Sequence, residues 1–284
     1  MTTNQTNTTS PWGEFCRRHP TIVVGALLLI TISLAAILAP WIARDPILFE
    51  PINRLKGPSS EFWLGTDSLG RDVFARMVYG ARISLMVGLS VAVITVLCGS
   101  VIGLLAGYFS LFDAVIMRLM DGIMAIPAIL LAIALVALLG SSATVVIIAI
   151  SIPEIPRVTR LVRAVVLSVR DLPFVEAARS NGTRVGKLLR RHILPSTVAP
   201  LIVQATYICA SAILTEAGLS FLGAGTPPEI PTWGNMIAGN RLYLQIAPWT
   251  VFAPGICLAL VVLAVNLLGD GLRDRLDPRI SRGI

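Results

Sequence analysis

The stretch with the look of a reaction site is Asn181 to Leu188, NGTRVGKL. A phosphate-binding loop needs Gly, four residues, then Gly-Lys-Ser/Thr, so that backbone amides wrap the phosphate and a hydroxyl reaches magnesium. Here Asn181 stands at the first glycine position, Leu188 at the hydroxyl position, and no buried strand precedes the loop. The chain is therefore not expected to bind ATP itself. The remaining reactive residues are dispersed. Cys16, Cys98, Cys209 and Cys257 lie far apart and form no CxxC, and His19 and His192 flank polar segments, so no metal or cofactor site is expected. HExxH and GxSxG are absent, which argues against a hydrolytic enzyme. Among the acids, Glu154 and Glu216 fall toward the ends of apolar segments, while Asp113, Asp121 and Asp270 sit at segment boundaries. Glu216 is a candidate for the translocation path, where it could touch a cationic group on a passing solute. The alternative is a carboxylate turned into a helix bundle or snorkelled toward the interface.

The elements that carry these residues are overwhelmingly apolar. The 284 residues are 55% hydrophobic and 14% charged, with mean hydropathy +0.80. Soluble domains run nearer a quarter charged, so the composition specifies an integral membrane protein. The expected fold is all-α and polytopic, with about six transmembrane helices near 21–42, 82–106, 122–139, 144–160, 198–217 and 249–269. The fourth is the weakest, because Pro153, Glu154 and Pro156 interrupt it. Residues 1–20 read as a disordered tail and residues 21–284 as one membrane domain, with an external loop over 43–81 and a cytoplasmic loop over 161–197. With both termini cytoplasmic, sixteen of the 23 Lys and Arg fall on the inner side, nine of them between Arg157 and Arg191. That bias follows the positive-inside rule. The net charge of +7 thus points to a lipid bilayer rather than to nucleic acid.

Three local patterns stand out. Asp171 to Pro195 is a basic, polar hairpin between two apolar segments. Asp171 can cap a first short helix, Gly182 can end it, and Thr183 can cap a second. Such a hairpin reads as a docking element for a soluble partner, with Arg184, Lys187, Arg190 and Arg191 set to meet the anionic inner leaflet. Outside, Ser68 to Tyr79 reads as a short interfacial helix with Leu69, Val73, Phe74 and Met77 on its apolar face and Asp72 and Arg76 away from it. The Pro-braced segment 218–248 reads either as a contact for an external partner or as plain interfacial packing. Finally, Gly99, Gly103 and Gly107 recur every four residues, with Ser84 and Gly88 further up, and lay a smooth ridge for a close helix neighbour.

VEAARSNG followed by HILP resembles the cytoplasmic signature loop of permease subunits of binding-protein-dependent ABC importers. Its pattern is EAA, three residues, Gly, nine residues, Ile, any residue, Leu, Pro. It falls on Glu176, Ala177, Ala178, Gly182, Leu194 and Pro195, with His192 in place of the Ile. FWLGTDSLGRDVFARMVYGARISLMVG (Phe62 to Gly88) and APWTVFAPG…NLLGDGLRDRLDPR resemble the dipeptide/oligopeptide/nickel permease family, and within it the C-type subunit. The resemblance implies a non-catalytic subunit of the bacterial inner (cytoplasmic) membrane. It would pair with a second permease, two ATP-binding subunits that hydrolyse ATP, and a periplasmic or extracellular substrate-binding protein. Glu176, Ala177, Ala178 and Gly182 would form the coupling helix that docks on the ATPase. Di- or oligopeptides are the expected solutes, with nickel or another small solute as the alternative. An ion-coupled secondary transporter or a channel is the competing class.

Overall fold

The computed structural model describes residues 19–276. The tail expected over 1–20 falls almost wholly outside that range, and Pro20 already opens the first helix. The described chain is helical, and its only extended pairing is an isolated bridge between Thr66 and Asp72. In chain order the helices are α1 (Pro20–Ile42), α2 (Val73–Tyr108), α3 (Ser110–Met124), α4 (Ala128–Leu139), α5 (Ala143–Val169), α6 (Pro173–Ser180), α7 (Val185–Leu188), α8 (Leu194–Phe221), α9 (Trp233–Asn240) and α10 (Trp249–Leu276). A five-residue π turn, Leu189–Ile193, joins α7 to α8.

Length and apolarity let α1, α2, the run Val185–Phe221 and α10 cross a membrane. The chain is a polytopic, all-α membrane protein. The segment expected at 122–139 is instead broken. Pro127 cannot continue the ladder begun by α3, and α3 and α4 meet at 87°. By contrast, Pro153 and Pro156 do not end α5, which stays helical over 27 residues with both rings buried. It is long enough to cross a bilayer, at about 40 Å, but carries three arginines and a glutamate and so differs from the apolar spans.

The most extensive helix pair is α2 with α5, and the glycine ridge is the reason. A Cβ placed on Gly99 would lie 2.6 Å from Val158 Cβ, and one on Gly103 would lie 2.7 Å from the Thr159 carbonyl. One on Gly107 would lie 2.6 Å from Val166 Cβ. Real side chains never approach so closely, so only glycine lets the two backbones touch along this line. The pairing seeds one apolar core, in which Val158, Val162 and Val166 of α5 meet Val87 and Val91 of α2, Val136 of α4 and Ile208 of α8. A second core joins α1, α2, α8, α9 and α10 around Trp233.

The bundle has two unlike ends. At one, residues 43–72 and 222–248 fold into a cap. At the other, α6 and α7 form the hairpin. The cap corrects the sequence expectation in two places. Ser68 to Tyr79 is not a separate interfacial helix, because α2 starts at Val73 and runs unbroken for 36 residues, with Asp72 capping it through the amides of Phe74 and Ala75. Arg76 does not face away from the protein either. It is 1% exposed, and donates from Nη1 to the Pro46 carbonyl at 3.1 Å and from Nη2 to the Pro228 carbonyl at 3.5 Å. Its Nε lies 3.8 Å from the buried Asp67 carboxylate. Asp67 also accepts from the amides of Leu69 and Arg71 and from Arg71 Nε.

Candidate functional site

The hairpin is built from one buried anchor and a termination motif. In α6 the first turn opens on Pro173, whose fixed φ suits that position. The N-cap residue is Leu172 and makes no side-chain cap, so Asp171 does not cap this helix as expected. Its carboxylate instead meets Arg170 at 3.4 Å. Glu176 lies in the first turn, where the helix dipole favours an acid. At the far end, the Gly182 amide bonds to the Arg179 carbonyl at 3.0 Å and the Thr183 amide to the Ala178 carbonyl at 3.1 Å. This double closure is the Schellman pattern, and it requires the left-handed backbone that Gly182 supplies at φ +74°. Nothing lies within 4 Å of where a Gly182 Cβ would sit, so backbone conformation rather than crowding demands the glycine. The cap of the second helix falls on Arg184 without a side-chain bond, not on Thr183. That second helix is also not independent: α7, the π turn and α8 form one helical run, Val185–Phe221.

Side-chain placement divides α6 sharply. Val175 is fully buried and Ala178 packs against the core beside it. Glu176 and Ala177 are exposed, as is Phe174 at 47%. Of the residues singled out in sequence, then, Glu176 and Ala177 share the free face, Ala178 faces inward, and Gly182 sets the turn. Phe174 is the residue the sequence reading undervalued. Its signal was available: an aromatic three residues before Ala177 in a helix otherwise short of apolar surface. Leu188 and Ile193 anchor the returning limb, both at most 1% exposed. Between and around them, Arg184, Lys187, Arg190 and Arg191 project outward, and Gly186, Lys187, Arg190 and Arg191 line an open hollow of about 560 Å³.

The limb leading into the hairpin is handled differently. Arg163 makes a two-pronged ion pair with Asp113, one arm 2.6 Å long, and Arg160 pairs with Asp121. Arg157 reaches back one turn to Glu154 at 3.2 Å. Arg170 donates to the Gly107 carbonyl at 3.0 Å, pinning the end of α5 to the end of α2. The arginines before the hairpin thus have acidic or carbonyl partners, whereas those after it point to open space.

Glu216 is fully buried in α8 beneath the cap. Its Oε1 accepts from Ser220 Oγ at 2.9 Å, and the side chains of Thr226 and Thr232 also face the carboxylate. Within this chain it has no open side toward a path. The cap above it is cross-braced. Asn235 Nδ2 donates to the carbonyls of Thr226, Pro227 and Ile230, and Trp233 Nε1 donates to the Met77 carbonyl at 3.1 Å.

Comparison with known proteins agrees in length and position. The family described as binding-protein-dependent transport system inner membrane component matches residues 99–282, and the N-terminal transmembrane domain of oligopeptide transport permease C matches residues 10–58. A probable peptide ABC transporter permease of Sinorhizobium fredii is 60% identical, the match covering 95% of this chain and 92% of that protein. A dipeptide transport system permease of Alkalihalophilus pseudofirmus is 44% identical over 98% of this chain and 93% of its own length. A glutathione transport system permease of Pectobacterium atrosepticum is 43% identical over 96% and 92%.

Proposed function

Because the chain belongs to the family of binding-protein-dependent inner membrane transport components, we propose that it is a membrane-spanning permease subunit of an ATP-driven peptide importer. In this reading it sits in the bacterial inner membrane with the hairpin in the cytoplasm and the cap outside. It pairs with a second permease, rests on two ATP-hydrolysing subunits, and receives di- or oligopeptides from an external binding protein. The hydrolytic chemistry belongs to the partner chains, consistent with a chain that presents no nucleotide loop of its own.

The observation that carries the reading is the free face of α6. A short helix, held by one buried valine and a glycine-dependent stop, presents Phe174, Glu176 and Ala177 to solvent at the base of the bundle. Small and flat apart from one ring, that face suits insertion into a cleft on a soluble partner. A ligand drives a conformational equilibrium only by binding its states differently. ATP-dependent closure of the partners would therefore act through this face, and the α2–α5 pair would carry the displacement toward the cap.

Reconstitution of the complete transporter in vesicles tests the reading. Peptide uptake is expected to require ATP and the binding protein and to ignore an imposed ion gradient. Uptake that persists on a proton or sodium gradient without ATP would instead assign the chain to the ion-coupled carriers.

A further inference from the structure

The ionised face of α5 has no role in the docking element, yet it lies at membrane depth. The helix reaches from the cap, where Ser141 just before it donates to the Gly225 carbonyl at 2.6 Å, to the hairpin end, where Arg170 meets Gly107. Its register against α2 fixes the level of each residue. Val158 packs at Gly99, seven residues inside the expected hydrocarbon limit at 106, which puts Arg157 about 10 Å within the apolar layer. Val162 packs at Gly103, which puts Arg160, two residues earlier, about 7–8 Å within it.

Neither guanidinium is enclosed: the side chains of Arg157 and Arg160 are 44% and 46% exposed. Ala164 and Ser168 continue the same exposed strip toward the hairpin. The helices of this subunit explain the gap. From its cap-side end α4 descends only 12 residues, about 18 Å, against a hydrocarbon core of about 30 Å. Beyond the 87° bend α3 leaves that direction and meets α5 through Asp113 and Asp121. The lower part of the α5 face, from Arg157 down, therefore lacks a parallel neighbour among the described residues.

Lipid is a poor occupant for that gap. An arginine facing the middle of a bilayer costs about 2.5–3.5 kcal/mol on insertion scales. A long side chain can snorkel toward the interface, which serves the shallower Arg160 better than Arg157. Intramembrane arginines of this kind line water-filled cavities or meet solute. Glu154 holds Arg157 from one side only, and the other donors of its guanidinium stay free for an incoming acceptor.

We propose that the Arg157–Arg160 face of α5 lines the cytoplasmic half of a water-filled path, and that Arg157 binds the carboxylate of the passing solute. The assignment rests on the importer reading for its solute, a short peptide with a free C-terminus, but not for its water. It also moves the path away from Glu216, whose carboxylate is enclosed beneath the cap.

Two measurements test it in the assembled transporter. In a background with Cys16, Cys98, Cys209 and Cys257 replaced by serine, Arg157→Cys and Ala164→Cys should react with a membrane-impermeant thiol reagent applied from the hairpin side. Leu97→Cys, at a similar depth and on the apolar face of α2 at 62% exposure, should react only with a lipid-soluble maleimide. If Arg157→Cys and Ala164→Cys behave like Leu97→Cys, or resist both reagents, the face meets lipid or protein and the proposal fails. In uptake assays, Arg157→Gln should raise the half-saturating concentration of a peptide with a free carboxylate about tenfold, as loss of one charge-assisted hydrogen bond implies. Arg157→Lys should restore most of it, while partner subunits co-purify as before. An equal change for a C-terminally amidated peptide would overturn the carboxylate contact. Wild-type uptake that ignores ATP would sink the importer reading, whereas the labelling contrast reads the water path either way.

Discussion

The cap and the hairpin are both polar elements at the ends of one apolar bundle, and they are stabilised in opposite ways. In the cap, buried polar side chains reach across long sequence distances. Arg76 bonds to Pro46 and Pro228, Trp233 to Met77, and Asn240 to the Ser68 amide. In the hairpin, α6 has one fully buried side chain, Val175, and a backbone stop at Gly182. Removing a partner from a buried polar knot leaves desolvated groups unpaired and costs stability, whereas trimming an exposed face costs little. The two ends should therefore fail differently: the cap by unfolding, the hairpin by losing what it holds.

That contrast can be broken or sharpened by substitution. Trp233→Ala empties the centre of the second core and removes the indole donor from the Met77 carbonyl; we expect a loss of about 3–5 kcal/mol, read as a large drop in the melting temperature of the detergent-solubilised protein. Arg76→Leu leaves the carbonyls of Pro46 and Pro228 without donors and Asp67 with one fewer cation. A cost of about 3 kcal/mol should appear in the same melt, and protease cutting in residues 43–72 should quicken. A melt unchanged by either variant would remove the distinction between the two ends.

At the hairpin, Gly182→Val forces a β-branched residue into the left-handed region, at about 1–2 kcal/mol. The melt should shift little, but co-purification of the ATP-hydrolysing partner and uptake should both be lost. Gly182→Asn, which tolerates that backbone region better, should recover part of each. Full uptake by the valine variant would exclude Gly182 from coupling. The smallest effect on stability belongs to Phe174→Ala and Glu176→Gln, within about 0.5 kcal/mol. Phe174→Ala should nonetheless weaken partner association more than Glu176→Gln, because the ring supplies most of the apolar surface on the free face. The reverse order, measured by pull-down of the partner, would show that Glu176 contacts it rather than merely suiting the helix dipole.

What could be read from the sequence was local. The glycine ridge needs only a four-residue spacing, and the contact it requires is the one found with α5. The stop at Gly182 is likewise written in its own neighbourhood. Long-range closure was not legible in the same way. Arg76 looked like a surface cation because its acceptors lie 30 and 152 residues away, and no pattern near residue 76 announces them. Prolines carry no fixed meaning here: Pro153 and Pro156 have the sequence look of interruptions and are accommodated within α5, while Pro127, inside a run with the apolarity of a continuous helix, marks a right-angled break. Asp171 had the right residue type for a cap, yet Arg170 beside it offered a competing partner. In α6 the sequence identified the face but not its direction, since Ala177 and Ala178 differ only in which side meets Val175 and the core.

The glycine seam has a mechanical consequence. With backbones in contact at three successive turns, α2 and α5 cannot slide or splay without forcing Val158, Val162 and Val166 into main-chain atoms, so they behave as a single stiff beam. One end of that beam is clamped by Arg170 to Gly107, a few residues from α6; the other lies under Gly225. Over about 40 Å of α5, a tilt of roughly 5° at the base displaces the far end by about 3.5 Å, more than the diameter of a water molecule. A small rotation imposed on the hairpin is thus amplified along the length of the pair without the packing between α2 and α5 having to change.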